Sequence, residues 1–146
     1  MGKLVEAARG YLGVKYRHRG RSRNGVDCAG LLVMAYRDCG IETSDFVLYG
    51  RTPFKDGIVT HTTAALGPHV WPQSPSVPME LQDGDVLVMR FERDPHHMGL
   101  VASVMYGNQA SLNIIHAEGH TGRVLEQRLT PDMVARITHV FRKGVE

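Results

Sequence analysis

Between Cys28 and Cys39 the chain is apolar on nearly every side, with Leu31, Leu32, Val33, Met34, Ala35 and Tyr36 in succession. A helix without a polar stripe has no face to offer solvent, so it must be the central, buried element of the fold. Asp27 or Asn24 supplies a cap at its start and Gly40 stops it. The rest of the chain has to be arranged around that helix.

Ahead of it, Leu4, Val5, Ala8, Tyr11 and Leu12 recur with a helical period, which predicts a first helix over 3–12 ended by Gly13. Residues 14–26 are basic, glycine-bearing and irregular. Over about 41–80, Pro53, Gly57, Gly67, Pro68, Pro72, Pro75 and Pro78 break any long element, leaving room for a short helix from Thr60 to Leu66. This stretch reads as a folded excursion over the surface, because Phe46, Leu48, Tyr49, Phe54 and Trp71 need burial. The last third reads as strands: Asp85 to Phe91, Met98 to Met105, Leu112 to Ala117, Arg123 to Leu129 and Ile137 to Arg142. Short turns such as Gly107-Asn108 join them, so they form an antiparallel sheet, with a helical turn at Pro131. The expectation is one α+β domain over 1–146, with N-terminal helices packed on a C-terminal antiparallel sheet of about five strands.

Several function classes are excluded early. A formal net charge of +2 by itself implies no polyanionic partner, and a nucleic-acid role would need aromatic interleaving or a larger charge excess, so nucleic acid is not expected. No apolar run approaches the roughly 20 residues that span a bilayer, so membrane insertion is not expected. Met1 to Glu6 lead into no uninterrupted apolar stretch, since Glu6 and Arg9 interrupt it; a chain made in the cytoplasm, and delivered if it acts outside, is the expectation. The two cysteines, on one helix about 16 Å apart, are read as free thiols.

Cys28 opens the buried helix. A helix N-terminus carries partial positive charge and unpaired N–H groups, which favour a thiolate and are placed to hold an oxyanion. Ala29 and Gly30 leave the sulfur uncrowded. The plainer reading is an inert, buried cysteine. A catalytic thiol needs a base. His97 begins one strand and His116 lies late in the next. If Gly107-Asn108 is a two-residue hairpin loop, His97 pairs with Glu118 and lands on the same face as His116, its diagonal neighbour. One histidine then abstracts the proton and the other orients it; the plainer reading is two ordinary strand histidines. His96, His97, His116 and His120 could also be read as zinc ligands, but the helical His-Glu-x-x-His pattern is absent and no carboxylate or cysteine pair accompanies them, so no metal is assigned.

Leu12-Gly13-Val14-Lys15-Tyr16, followed by Asn24-Gly25-Val26-Asp27-Cys28-Ala29-Gly30-Leu31, resembles the nucleophile segment of the NlpC-type papain-like cysteine peptidases. Leu81-Gln82-Asp83-Gly84-Asp85-Val86-Leu87, His97-Met98-Gly99-Leu100-Val101 and Ile114-Ile115-His116-Ala117 resemble the rest of that pattern, in order. The resemblance spans roughly residues 4–120 and implies a papain-like fold. It further implies hydrolysis of amide bonds in bacterial peptidoglycan stem peptides, without metal or cofactor. Cys28 would be the nucleophile, His97 the base and His116 the polar third member, with Tyr16 beside the cysteine. Tyr16, Asp27 and Arg19 are the expected substrate-binding residues. Lys15 stands where the family often has proline, and Arg17-His18-Arg19-Gly20 where an aromatic residue and paired glycines are common. Small size and the lack of a leader or wall-binding module look most like tail-associated enzymes of phages and prophages, with tail proteins as partners. A wall-peptide-binding protein of the same fold, or a thiol acyltransferase or amidase, is the alternative.

Lys15, Arg17, Arg19, Arg21 and Arg23 alternate, so in an extended segment all five would point one way. They would grip substrate carboxylates or acidic wall polymer, or else form a solvated loop.

Overall fold

A computed structural model describes residues 2–45, 57–73, 78–90 and 95–143. Helix α1 (Lys3–Arg9) buries Leu4, Val5 and Ala8. It is shorter than its periodicity predicts, because the chain leaves the helix at Gly10 and runs through turns to Gly13. Tyr11 stays buried there and its hydroxyl donates to Asp38 Oδ2 at 2.8 Å.

The basic segment is not one extended strand. Residues 13–16 lie against 122–124, through Gly13 N to Val124 O at 2.9 Å and Tyr16 N to Gly122 O at 2.8 Å. A turn at His18-Arg19 follows, then a two-stranded ribbon of β1 (Arg21–Ser22) and β2 (Gly25–Val26) that periodicity over so few residues could not announce. The five basic residues therefore do not share a face. Arg21 bonds Asp27 Oδ1 at 3.1 Å and Asp45 Oδ2 at 3.0 Å, while Arg23 bonds the Gly10 carbonyl at 2.8 Å and lies over the Tyr11 ring. Lys15, Arg17 and Arg19 remain exposed.

Helix α2 (Cys28–Asp38) is the expected central helix, with Leu31, Leu32, Ala35 and Tyr36 buried. Each of its leucines contributes about 1.5–3 kcal/mol by leaving water. Gly40, at φ 79, ends it in the left-handed region open to glycine. Helix α3 (Ile58–Leu66) starts two residues before the sequence expectation, on Gly57. Lys143 Nζ donates to the Ala65 carbonyl at its far end. Of the large apolar residues expected to need burial, Trp71 packs half-buried against the sheet; Phe46, Leu48, Tyr49 and Phe54 lie outside the described residues.

The sheet is antiparallel and five-stranded: β3 (Val86–Arg90), β4 (Pro95–Tyr106), β5 (Gln109–Glu118), β6 (Arg123–Arg128) and β7 (Ile137–Phe141), in the order β6-β5-β4-β3-β7. A short helix α4 (Pro131–Ala135) precedes β7, capped by Thr130 Oγ1 on Met133 N at 3.2 Å. Side chains alternate across this sheet. Val86, Val88, Met98, Leu100, Ala102, Ile115 and Ala117 face the helices in one core with Leu4, Ala8, Leu31 and Ala35. Leu87, Val101, Ile114, Leu129, Ile137 and Val140 form a second core, covered by Trp71, Leu81 and Met133. Among the described residues, no helix is long and apolar enough to cross a membrane.

Candidate active site

Cys28 is the first residue of α2 and is buried. The residue before it builds the helix end. Asp27 Oδ1 accepts from Gly30 N at 2.8 Å and from Arg21 Nη1 at 3.1 Å, and Asp27 Oδ2 accepts from Arg19 N at 2.8 Å. Gly30 is required for this seating, because a Cβ there would run into the Gly20 carbonyl oxygen. The basic loop thus sits directly on the first turn of the nucleophile helix.

The sulfur of Cys28 accepts from the backbone amides of Met98 and Ala29. Even so, burial pushes its thiol up to about 12, with the Asp27 carboxylate adding to the rise and the two amides and Arg21 opposing it. Burial and the helix end therefore act on this sulfur in opposite directions. The half charge of a helix end is outweighed by the loss of solvent and by an adjacent carboxylate.

The two histidines come from the β4–β5 hairpin. Its loop is Gly107-Asn108, with Tyr106 opposite Gln109 and Leu100 opposite Ile115. That is the two-residue register, so His97 and His116 are same-face diagonals. The step between them is open because Gly99 lies across from His116; a Cβ on Gly99 would come 2.5 Å from Ile114 Cδ1 and 3.5 Å from His116 Cβ. With that space free, His97 Nε2 and His116 Nδ1 meet at 2.6 Å. On the far side, His116 Nε2 is 2.9 Å from Gln127 Oε1. Burial pushes the His97 imidazole down to about 3, with His116 and His96 adding to the fall. Burial also lowers His116, against the pull of Gln127 and Glu118.

Cys28, His97, His116, Tyr16 and Asp27 all line one cleft of about 640 Å³. Ile58, His61 and Thr62 of α3 form part of its wall, and Asp132 and Arg136 reach it from α4. His96 lines the cleft too, but it is His97 that bonds His116. Arg19 is outside the lining; its side chain is exposed and its amide holds Asp27. Asp27 has both oxygens engaged by protein donors, which makes it first a cap and an anchor for the loop. No group of three or more histidine, cysteine, aspartate or glutamate side chains among the described residues is arranged to hold a metal. Cys28 and Cys39 are free thiols.

Gln127 was missed by sequence reasoning. Its signal lay in the β5–β6 pairing: His116 opposite Leu125 and Ile114 opposite Gln127 put Gln127 on the face of His116.

Comparison with known proteins gives the same picture from outside. The model of the NlpC/P60 family matches residues 13–143. Among solved structures, an NlpC/P60 family protein from Bacillus cereus is 21% identical with a TM-score of 0.61, the match covering 96% of this chain and 39% of that one. The NlpC/p60 domain of peptidoglycan hydrolase SagA is 17% identical with a TM-score of 0.57, covering 97% of both chains. NlpC1 from Trichomonas vaginalis is 19% identical with a TM-score of 0.60, covering 98% of this chain and 44% of that one. At these identities the likeness is one of fold. No curated protein matches significantly.

Proposed function

This chain belongs to the NlpC/P60 family, and from that membership we propose that it is a cysteine endopeptidase that hydrolyses amide bonds in bacterial peptidoglycan stem peptides. The observation that carries the reading is the shared cleft. A buried cysteine at a helix N-terminus opens onto the same cavity as a hydrogen-bonded histidine pair.

In this reading the pair starts as a thiol and a neutral imidazole, the forms that burial of both groups favours. His97 Nε2 is occupied by His116, which leaves Nδ1 as the base. As Cys28 Sγ attacks the carbonyl carbon, its proton passes to His97 Nδ1. The oxyanion that forms accepts from amides at the start of α2. The C–N bond then breaks, His97 gives its proton to the leaving amine, and a thioester remains. His97 next takes a proton from water as the water oxygen attacks the thioester carbon; the C–S bond breaks, His97 returns that proton to Cys28 Sγ, and the acid product loses its own proton to solvent as a carboxylate. Burial disfavours either charge alone, so proton transfer accompanies attack.

Tyr16 is proposed as a wall for the substrate, and it lines the cleft. Asp27 lines it too and holds the loop above the cysteine. Arg19 is proposed to meet a stem-peptide carboxylate from that loop. The proposed place of action is the bacterial wall, with a phage or prophage tail as carrier; recovery of the chain on purified virions tests the carrier.

The decisive experiment is digestion of purified peptidoglycan with mass spectrometry of the soluble products, native chain against Cys28→Ala. Stem-peptide fragments from the native chain alone are expected. Fragments from neither would favour a wall-peptide-binding protein, and amide products in the presence of an added amine would favour acyl transfer.

A further inference from the structure

His97, His116 and Gln127 come one each from β4, β5 and β6, three neighbouring strands, and each is the same-face diagonal of the next. The links are 2.6 Å from His97 Nε2 to His116 Nδ1 and 2.9 Å from His116 Nε2 to Gln127 Oε1. A neutral imidazole has one N–H and one lone pair, so a chain of two imidazoles can run its protons in either direction. Only one direction leaves a lone pair on His97 Nδ1, the ring nitrogen not engaged by His116.

We infer that Gln127 is the positioning residue that sets this direction. Its carbonyl oxygen can only accept, so His116 must carry its proton on Nε2 and present a lone pair at Nδ1. His97 then must donate from Nε2, and its Nδ1 keeps the lone pair that takes the Cys28 proton. In the reverse arrangement, His116 would donate from Nδ1 into His97 Nε2. The His97 proton would then sit on Nδ1, and His97 could not act as base there. Burial of both rings keeps them neutral and so keeps the choice binary. The amide oxygen of Gln127 is the atom that faces the ring. The consequence for the reaction rests on the reading of Cys28 and His97 as the reacting pair; the proton positions themselves do not.

The test separates the two. Nitrogen-15 spectra of the histidine rings in the folded native chain report which nitrogen carries each proton, without substrate. The expected result is Nε2–H on both His97 and His116. Gln127→Glu keeps an acceptor and is expected to keep Nε2–H on His116. Gln127→Met keeps length but not the acceptor. It is expected to give mixed tautomers, with kcat on wall peptide down about tenfold or more, as a wrong tautomer costs, and KM within about twofold. Nδ1–H on His116 in the native chain overturns the assignment. So does a Gln127→Met variant with native tautomers and native kcat. If the native chain turns over no wall peptide yet shows the expected tautomers, and Gln127→Met loses them, the hydrolase reading fails and the assignment of Gln127 stands.

Discussion

Asp27 Oδ1 lies 2.8 Å from the Gly30 amide and 3.1 Å from Arg21 Nη1, so the residue before the nucleophile joins the basic loop to the helix that carries the sulfur. Four predictions follow from that arrangement and from the histidine pair it faces.

Removing the joint should cost stability as well as placement. Asp27→Ala loses a helix cap, worth about 1 kcal/mol, and strips a buried carboxylate from Arg21, which keeps Asp45 and the Gly20 carbonyl among its partners. A total loss of about 2–4 kcal/mol in chemical denaturation is expected. Asp27→Asn can still cap and should lose less. Equal losses in the two variants would mean that the cap contributes nothing.

The two cysteines should separate cleanly. Cys28→Ala is expected to abolish turnover of wall peptide while melting like the native chain. Cys39 donates to the Ala35 carbonyl at 3.1 Å within its own helix, so Cys39→Ala should keep full activity. In a Cys39→Ala background, alkylation of Cys28 should be slow at neutral pH and keep accelerating towards its raised value of about 12. A rate that levels off below pH 7 would instead reveal a standing thiolate–imidazolium pair.

Acid should destabilise the fold through His97. Its folded value, about 3, lies below the ordinary 6.5, so between those limits the unfolded chain binds the extra proton and stability rises with pH. Its contribution is intact above pH 6.5 and is lost as pH falls towards 3, at up to about 1.4 kcal/mol per pH unit for one proton. Glu126, lowered by Arg9, acts with the same sign. Urea melts at pH 7 and pH 4.5 should therefore show a smaller drop for His97→Gln than for the native chain; an identical drop would place the titration elsewhere.

Gly99 should resist even one methyl group. Its added Cβ would press on Ile114, 2.5 Å from Cδ1 and 2.7 Å from Cγ1, in the strand that carries His116. Gly99→Ala is expected to cost about 1–3 kcal/mol as overpacking does, and to lower kcat by disturbing the His97–His116 contact. Native stability together with native kcat would show that Ile114 moves aside freely.

Much of this was legible in sequence because it is local or periodic. The all-apolar run from Leu31 to Tyr36 announced a central helix, and alternation announced the strands. A single turn, Gly107-Asn108, was enough to derive that His97 and His116 share a face, since a two-residue loop determines register and register determines side-chain direction. Less was legible where spacing is short and the partners are remote. The ribbon Arg21–Ser22 with Gly25–Val26 is too brief to show a period, and Arg21 and Arg23 were drawn off to Asp45 and Asp38 by contacts no local pattern encodes.

What the sequence by itself determined is the set of elements, the hairpin register and the identity of the groups with reactive chemistry, because these depend on neighbours along the chain. Tertiary structure alone decided their electrical state and their direction. Burial pushes the thiol up and the imidazole down, against the pull of the helix end on the sulfur. Gln127, brought to His116 by a third strand, orients the protons between them. Desolvation and hydrogen-bond direction depend on everything that surrounds a group in space, and that is settled only when the sheet and helices close around it.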